Sequence, residues 1–354
     1  MSQALMSQTL MSQAMSDNQI PLEQQNPLLS VRNIKVQFPV PKARDWFWQP
    51  VPMLKAVDDI SFDLYPGETL GIVGESGCGK STLARALVGL VKTHSGEIIL
   101  DGNNLTGLND REFHDIRRKV QMIFQDPLAS LNPRMTIGDI IAEPLRNYES
   151  QLGRAGIKVR VREMMDRVGL LPNVINRYPH EFSGGQCQRA GIARALILKP
   201  KLVVCDEPVS ALDVSIQAQV INLLKELQAE MGLSLVFIAH DLSVVKHISD
   251  RVLVMYLGNE VEIATTDALY TNPKHPYTQA LLSAVPVPDP QIERAKTIQL
   301  LEGDLPSPID PPSGCVFRTR CPKAIPDCAR QKPELNGSDQ HQVACILDDL
   351  AIRF

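Results

Sequence analysis

The sequence predicts an α/β fold of three layers, a parallel sheet between helices, with a helical insertion and a small irregular extension at the C-terminal end. Three observations predict it. From Val31 onward short β-type runs alternate with helical ones. Two of those runs, LVVC at 202–205 and LVFIA at 235–239, are apolar without interruption, as strands covered on both faces of a parallel sheet must be. Between them Ile216, Val220, Leu223, Leu224 and Leu227 recur at helical spacing, so the segment 214–230 has one apolar face.

Taken in order, residues 1–28 hold a pentapeptide repeat, MSQAL-MSQTL-MSQAM, and a Gln/Pro-rich stretch. A period of five fits neither helix nor strand packing, and large apolar groups are too few to offset the entropy of ordering. A disordered tail is expected. VRNIKVQF opens the strand pattern, and the stretch 39–54, which contains PVPKARDWFWQPVP, interrupts it with its prolines and an aromatic cluster at 46–48. Such proline density argues for an irregular excursion, with packing of the aromatics on their own domain favoured over a patch facing a partner or lipid. ETLGIVG, a helix after Lys80, GEIIL and VQMIFQ follow, and from about 126 to 190 helical segments replace strands. KLVVCDE, the helix 214–230, LSLVFIAH and VLVMYLG complete a core expected to span 29–270. From 271 to 354 the chain turns Pro-rich and gathers four of its seven cysteines, which marks a separate extension.

Composition narrows the function. The chain has 354 residues, 44% hydrophobic and 21% charged, in the range of ordinary folded proteins. A net charge of −4 gives no basic face for nucleic acid. No apolar run approaches the ~18 residues of a membrane span. The first basic residue is Arg32, so no charged segment precedes an apolar core as in a secretory signal. A cytoplasmic protein is expected, with any membrane role exercised through partners. Seven cysteines in that reducing setting argue against a disulfide framework.

The motif with the clearest chemistry is GESGCGKS, formed by Gly74, Glu75, Ser76, Gly77, Cys78, Gly79, Lys80 and Ser81, with Thr82 next. It fits the phosphate-loop pattern G-x4-G-K-[ST] and lies between a strand and a helix, where backbone N–H groups and the helix dipole converge on phosphate. Lys80 then reaches the β- and γ-phosphates of ATP, and the Ser81 hydroxyl holds Mg²⁺. Cys78 sits near positive dipole, where a thiol pKa falls, although a small filler is the favoured reading. Asp206 ends an apolar strand and is placed to hold Mg²⁺ through water. Its neighbour Glu207 is placed to polarise the attacking water. Ser183, Gly184, Gly185 and Gln186 open another helix 20 residues before Asp206, a second anion site that one chain has no use for unless it serves another chain's nucleotide.

In this order, residues 74–81, Gln125, SGGQ, the Asp206–Glu207 pair, SALD at 210–213 and His240 resemble the ATPases of ABC transporters. The resemblance implies that Gln125 senses Mg²⁺ and γ-phosphate, that Asp213 lies at a dimer seam, and that His240 contacts γ-phosphate. Phe38 is similar to the aromatic residue that stacks on adenine. Phe182 stands before SGGQ where leucine is commoner.

A closer resemblance covers nearly everything after the tail. MIFQDPLASLNPRMTIGDIIAEPL, YPHEFSGGQCQRAGIARALI, CDEPVSALDVSIQAQVINLL, HPYTQALL and PSGCVFRTRCP are similar to the oligopeptide and dipeptide importer ATPases, above all those of the F type. That family implies a heterodimer with a second, homologous ATPase at the cytoplasmic face of the inner membrane. It also implies two permease subunits and an extracytoplasmic peptide-binding protein. A soluble ABC factor, a P-loop kinase or GTPase, and a regulatory subunit that does not hydrolyse ATP are the rivals. A soluble factor usually carries a second cassette or a long coiled-coil insertion, and neither is read in this sequence; a kinase or GTPase leaves SGGQ and His240 unexplained.

Cys315, Cys321, Cys328 and Cys345 have the spacing C-x5-C-x6-C-x16-C. Structural zinc favours paired C-x2–4-C knuckles, absent here. An iron–sulfur cluster suits four such thiolates at least as well, with Arg318, Arg320 and Lys323 to offset its charge. Zinc and unmetallated thiols stay open, and the family resemblance points to a [4Fe–4S] cluster.

Overall fold

Two sheets organise the chain. The computed structural model describes residues 26–41, 51–286, 289–296 and 299–348. The fold opens with a long antiparallel pair, β1 (Leu29–Pro39) and β2 (Met53–Leu64). Next come β3 (Thr69–Val73), α1 (Lys80–Leu87), β4 (Ser95–Leu100), β5 (Asn103–Asn104), α2 (Asp110–Ile116) and β6 (Val120–Ile123). Helices then take over in α3 (Ile137–Tyr148), α4 (Gly153–Arg167) and α5 (Gly184–Leu196). The chain returns through β7 (Leu202–Asp206), α6 (Val214–Met231), β8 (Ser234–Ile238), α7 (Leu242–Ile248), β9 (Arg251–Tyr256) and β10 (Asn259–Thr265). It ends with α8 (Thr266–Thr271), α9 (Pro276–Ser283), α10 (Pro290–Ala295), β11 (Asn336–Ser338) and β12 (His341–Val343).

The smaller sheet has the order β2-β1-β4-β5 and the larger β11-β12-β10-β9-β3-β8-β7-β6. In the larger one β9, β3, β8, β7 and β6 run parallel. Every residue of β7 and β8 is buried, and alternation divides them between two cores. Val203, Cys205, Leu235 and Phe237 face the core built with α3 to α6. Leu202, Val204, Val236 and Ile238 face the core shared with α1 and the small sheet. The unbroken apolar runs of the sequence thus reflect two covered faces at a period of two. On α6, Val220, Leu223, Leu224 and Leu227 are buried as the helical spacing predicts, joined by Ile221.

Several expectations need adjustment. Leu28, assigned to the tail, is already buried and donates its N–H to Leu64 O at 2.8 Å. Residues 1–25, with the repeat, and 42–50, with the aromatic cluster, lie outside the described residues. The excursion between β1 and β2 is closed at its base by Val40 N–H donating to Pro52 O at 2.9 Å. β2 and β10 escape the apolar-run reading because polar residues interrupt both, as in MLKAVDDISFDL and NEVEIAT. The C-terminal segment, expected as a separate appendage, continues the main sheet: β12 pairs antiparallel with β10 through Glu262, Ile263 and Ala264. Its Phe317 is fully buried beside Tyr256 and Tyr277, with ring centroids 5.1 and 5.4 Å away.

Candidate nucleotide site

The site is assembled where β3 hands over to α1. Gly74 (φ +153°) and Gly79 (φ +104°) take backbone angles that L side chains rarely adopt. A Cβ on Gly74 would come within 2.2 Å of Met255 O, and one on Gly79 within 2.0 Å of Ala56 O. The glycines are therefore demanded by backbone packed against the loop as well as by its curvature. Ser76 and Gly77 are exposed at the tip, and Thr82 is half-buried one turn into the helix. Lys80 is buried, and its ammonium donates to Gly74 O at 2.7 Å and Glu75 O at 3.0 Å. Cys78 is buried too, and burial pushes its thiol up despite the nearby lysine, which fits the filler reading.

Two hard oxygen donors lie together at the foot of the loop: Ser81 Oγ donates to Asp206 Oδ1 at 2.8 Å. Burial raises the Asp206 carboxyl above its ordinary range, while the Ser81 hydrogen bond and Arg85 pull the other way. An oxygen pair on a desolvated carboxylate suits Mg²⁺.

Beyond the end of β7, Glu207 has φ +45°, an outlier for a side chain of its size. Its backbone is pinned by its N–H donating to Ile238 O at 3.0 Å and by its C=O accepting from Ser210 Oγ at 3.1 Å. Such strain persists only where surrounding structure enforces it, and it gathers at functional sites. Glu207 Oε2 accepts from Gln125 Nε2 at 3.0 Å and lies 3.3 Å from His240 Nδ1. Two residues from two other segments thus meet on one carboxylate, a convergence that linear spacing does not encode.

The remaining nucleotide-motif residues are displayed outward. Phe38, near the end of β1, is 39% exposed. Ser183 caps α5, accepting from Gln186 N–H at 3.3 Å while Gln186 Oε1 accepts from Ser183 N–H at 3.0 Å. Ser183, Gly184 and Gln186 are exposed, with Gly185 half-buried against Ile216. Asp213 is exposed at the start of α6, beside Val214, which is 82% exposed.

The C-terminal segment supplies contacts that motif reading missed. Glu75 N–H donates to Tyr277 Oη at 2.8 Å, and the Glu75 carboxylate accepts from both Arg320 terminal nitrogens at 2.8 and 3.2 Å. Nothing local in HPYTQALL or FRTRCP signals this, because the partner is more than 200 residues away.

The four extension cysteines carry no disulfide. Cys315 N–H donates to Cys328 O at 2.8 Å, and burial raises the Cys315 thiol to about 11, with the other three thiols adding to the shift. Yet among the described residues no three Cys, His, Asp or Glu side chains converge on a metal ion. The expected metal centre at Cys315, Cys321, Cys328 and Cys345 therefore finds no support in this geometry, for the thiols share a neighbourhood without forming a coordination shell.

A phosphate cradle backed by a strained carboxylate, gripped from two other segments, is the layout of an ATP-hydrolysing cassette, and solved cassettes share the fold. The dimeric post-hydrolysis MJ0796 cassette bound to ADP and Pi is similar at TM-score 0.60 and 28% identity, covering 67% of this chain and 98% of that one. CbiO1 from Clostridium perfringens is similar at TM-score 0.60 and 25% identity, covering 70% and 92%. The ABC transporter family profile matches residues 57–210, and that of the oligopeptide/dipeptide transporter C-terminal region matches 261–328. The chain belongs to the ABC transporter ATPases of the oligopeptide transport family. It is 66% identical to the oligopeptide transport ATP-binding protein OppF of Salmonella typhimurium, covering 93% of this chain and 98% of that one. The OppF protein of Escherichia coli K12 is also 66% identical, with 91% and 96% covered.

Proposed function

We propose that this chain is the subunit that binds and hydrolyses ATP to drive oligopeptide import across the inner membrane. The observation that carries the catalytic part is the meeting of Gln125 and His240 on the Glu207 carboxylate. Likeness to proteins named for oligopeptide transport, along nearly their whole length, supports the cargo.

In this reading Lys80 leaves the loop carbonyls for the β- and γ-phosphates, and loop N–H groups hold the remaining oxygens. Ser81 and Asp206, with Gln125 nearby, would hold Mg²⁺, which supplies positive charge at the phosphates. Glu207 orients and polarises the attacking water, and His240 and Gln125 fix that carboxylate. Phe38 offers its exposed ring to adenine. The outward SGGQ turn and Asp213 face a second, homologous cassette, so that ATP binds between two chains and favours their closed state. Two permease subunits and an extracytoplasmic peptide-binding protein complete the assembly. This chain sits on its cytoplasmic side, and none of the described helices is long and apolar enough to cross a membrane.

The test is peptide uptake by vesicles carrying the assembled complex and loaded with ATP. Lys80→Ala should abolish both ATP photolabelling of this chain and uptake of a labelled tripeptide. Uptake that survives would sink the site. ATPase activity that no peptide stimulates would sink the cargo. For the cysteines, the cluster reading rests on spacing and family resemblance alone. Protein purified without oxygen decides it: about four irons and four sulfides, lost in Cys321→Ser, would establish a cluster, and their absence would retire it.

A further inference from the structure

Glu75 stands inside the phosphate loop with every polar group engaged. Its C=O accepts from Lys80, its N–H donates to Tyr277 and its carboxylate accepts from Arg320 in a two-pronged pair. The pair is sheltered: the Arg320 side chain is 10% exposed and that of Glu75 is 29% exposed. Arg320 also lies over the ring of the fully buried Tyr256, 6.0 Å from its centroid. Its backbone is fixed in a turn, with Arg320 N–H donating to Phe317 O at 3.0 Å and Phe317 buried in the aromatic group that includes Tyr277. A carboxylate two residues from the tip glycine is an odd companion for a polyanionic ligand, because like charges at short range repel strongly in a partly desolvated site.

We propose that Arg320 and Tyr277 are positioning residues of the ATP site. The C-terminal extension reaches back to the loop, cancels the Glu75 charge and turns its carboxylate away from the phosphates. The arginine fork suits this task, since two parallel charge-assisted bonds fix direction as well as charge. Lys80, which donates to loop carbonyls and not to the Glu75 carboxylate, is thereby kept for phosphate. The proposal rests on residues 74–81 being the ATP site.

Steady-state kinetics of the assembled complex test it. Arg320→Ala should raise the ATP KM about tenfold or more while kcat stays within about twofold, as expected for losing one partner of a sheltered charge pair. Glu75→Gln placed in the Arg320→Ala background should recover most of that loss, because the uncancelled charge is gone. A structural role for the arginine would show no such recovery. Tyr277→Phe keeps the ring in its aromatic group and removes only the acceptor of the Glu75 N–H. It should raise KM about threefold, and it decides the matter even if Arg320→Ala does not fold. An unchanged KM in Arg320→Ala or in Tyr277→Phe, or a double variant no better than Arg320→Ala, would overturn the proposal. Failure of the underlying ATP-site reading looks different, for then Lys80→Ala would still bind ATP.

Discussion

The phosphate face and the C-terminal segment touch at Glu75, yet opposite devices hold them in shape. On the face, the backbone is forced into positive φ at Gly74, Gly79 and Glu207, and the functional side chains are largely bonded to one another. In the C-terminal segment regular structure is sparse, and buried polar pins take its place. Glu262, fully buried on β10, accepts from Lys274 N–H at 2.8 Å, His275 N–H at 3.0 Å and His341 Nε2 at 2.7 Å. His275 is itself buried and kept neutral, its pKa pressed down to about 3 by desolvation, and its Nδ1 accepts from Tyr277 N–H. One region holds strain where charge must be handled. The other engages the buried Glu262 carboxylate three times over, so that short strands suffice, for an orphaned buried group costs more than a paired one gains.

Removing one group from each region gives the widest contrast. Glu207→Gln should lower ATP turnover about a thousandfold while ATP still binds, with no loss of stability, since a general base contributes that much to rate and a strained site contributes little to folding. Phosphate release, filter binding and a urea melt check the three parts. Normal turnover would break the comparison at its catalytic end. Glu262→Ala should do the reverse, costing about 3 kcal/mol in urea unfolding because two backbone N–H groups and His341 lose their acceptor. An unaltered midpoint would show that the pins do not hold the segment.

Smaller changes sharpen the contrast. Phe38→Ala should raise the ATP KM about tenfold at unchanged stability, the usual worth of one aromatic–base stack. An unchanged KM would remove Phe38 from the site. A pH-dependent effect belongs to Glu260, at the junction of the two sheets, where its carboxylate accepts from Ser61 N–H at 2.9 Å. Burial is the main cause lifting this carboxyl from 4.5 to about 8; Ser61 and Lys332 oppose the rise and Asp59 adds to it. Between those values the native state keeps a proton that the unfolded chain has released. Stability is therefore greatest below the lower value, falls as pH rises toward the upper one, and is level above it. Urea melts at pH 5.5 and 7.5 should show that decline, at most about 1.4 kcal/mol per pH unit, and Glu260→Gln should flatten it.

Legibility in the sequence divides along the same line. The phosphate loop, the acidic pair and the SGGQ turn were readable because phosphate chemistry demands particular residues at contiguous positions on a strand–loop–helix frame. β7, β8 and α6 were readable because burial on one or two faces imposes a period on side chains. β2 and β10 were not, since polar residues break their pattern. The cysteine spacing invited a metal centre, but coordination needs convergence in three dimensions, which spacing alone does not supply.

By itself, then, the sequence determined the class of fold, the motif residues proposed to meet nucleotide and the family to which the chain belongs. Only the tertiary structure decided that Gln125 and His240 meet on Glu207, that β12 completes the sheet beside β10, and that Arg320 grips Glu75 across 245 residues of chain. The reason is physical: local periodicity and motif chemistry act over a few residues. Contacts between distant segments follow from the order in which strands join a sheet, and no local pattern carries that order.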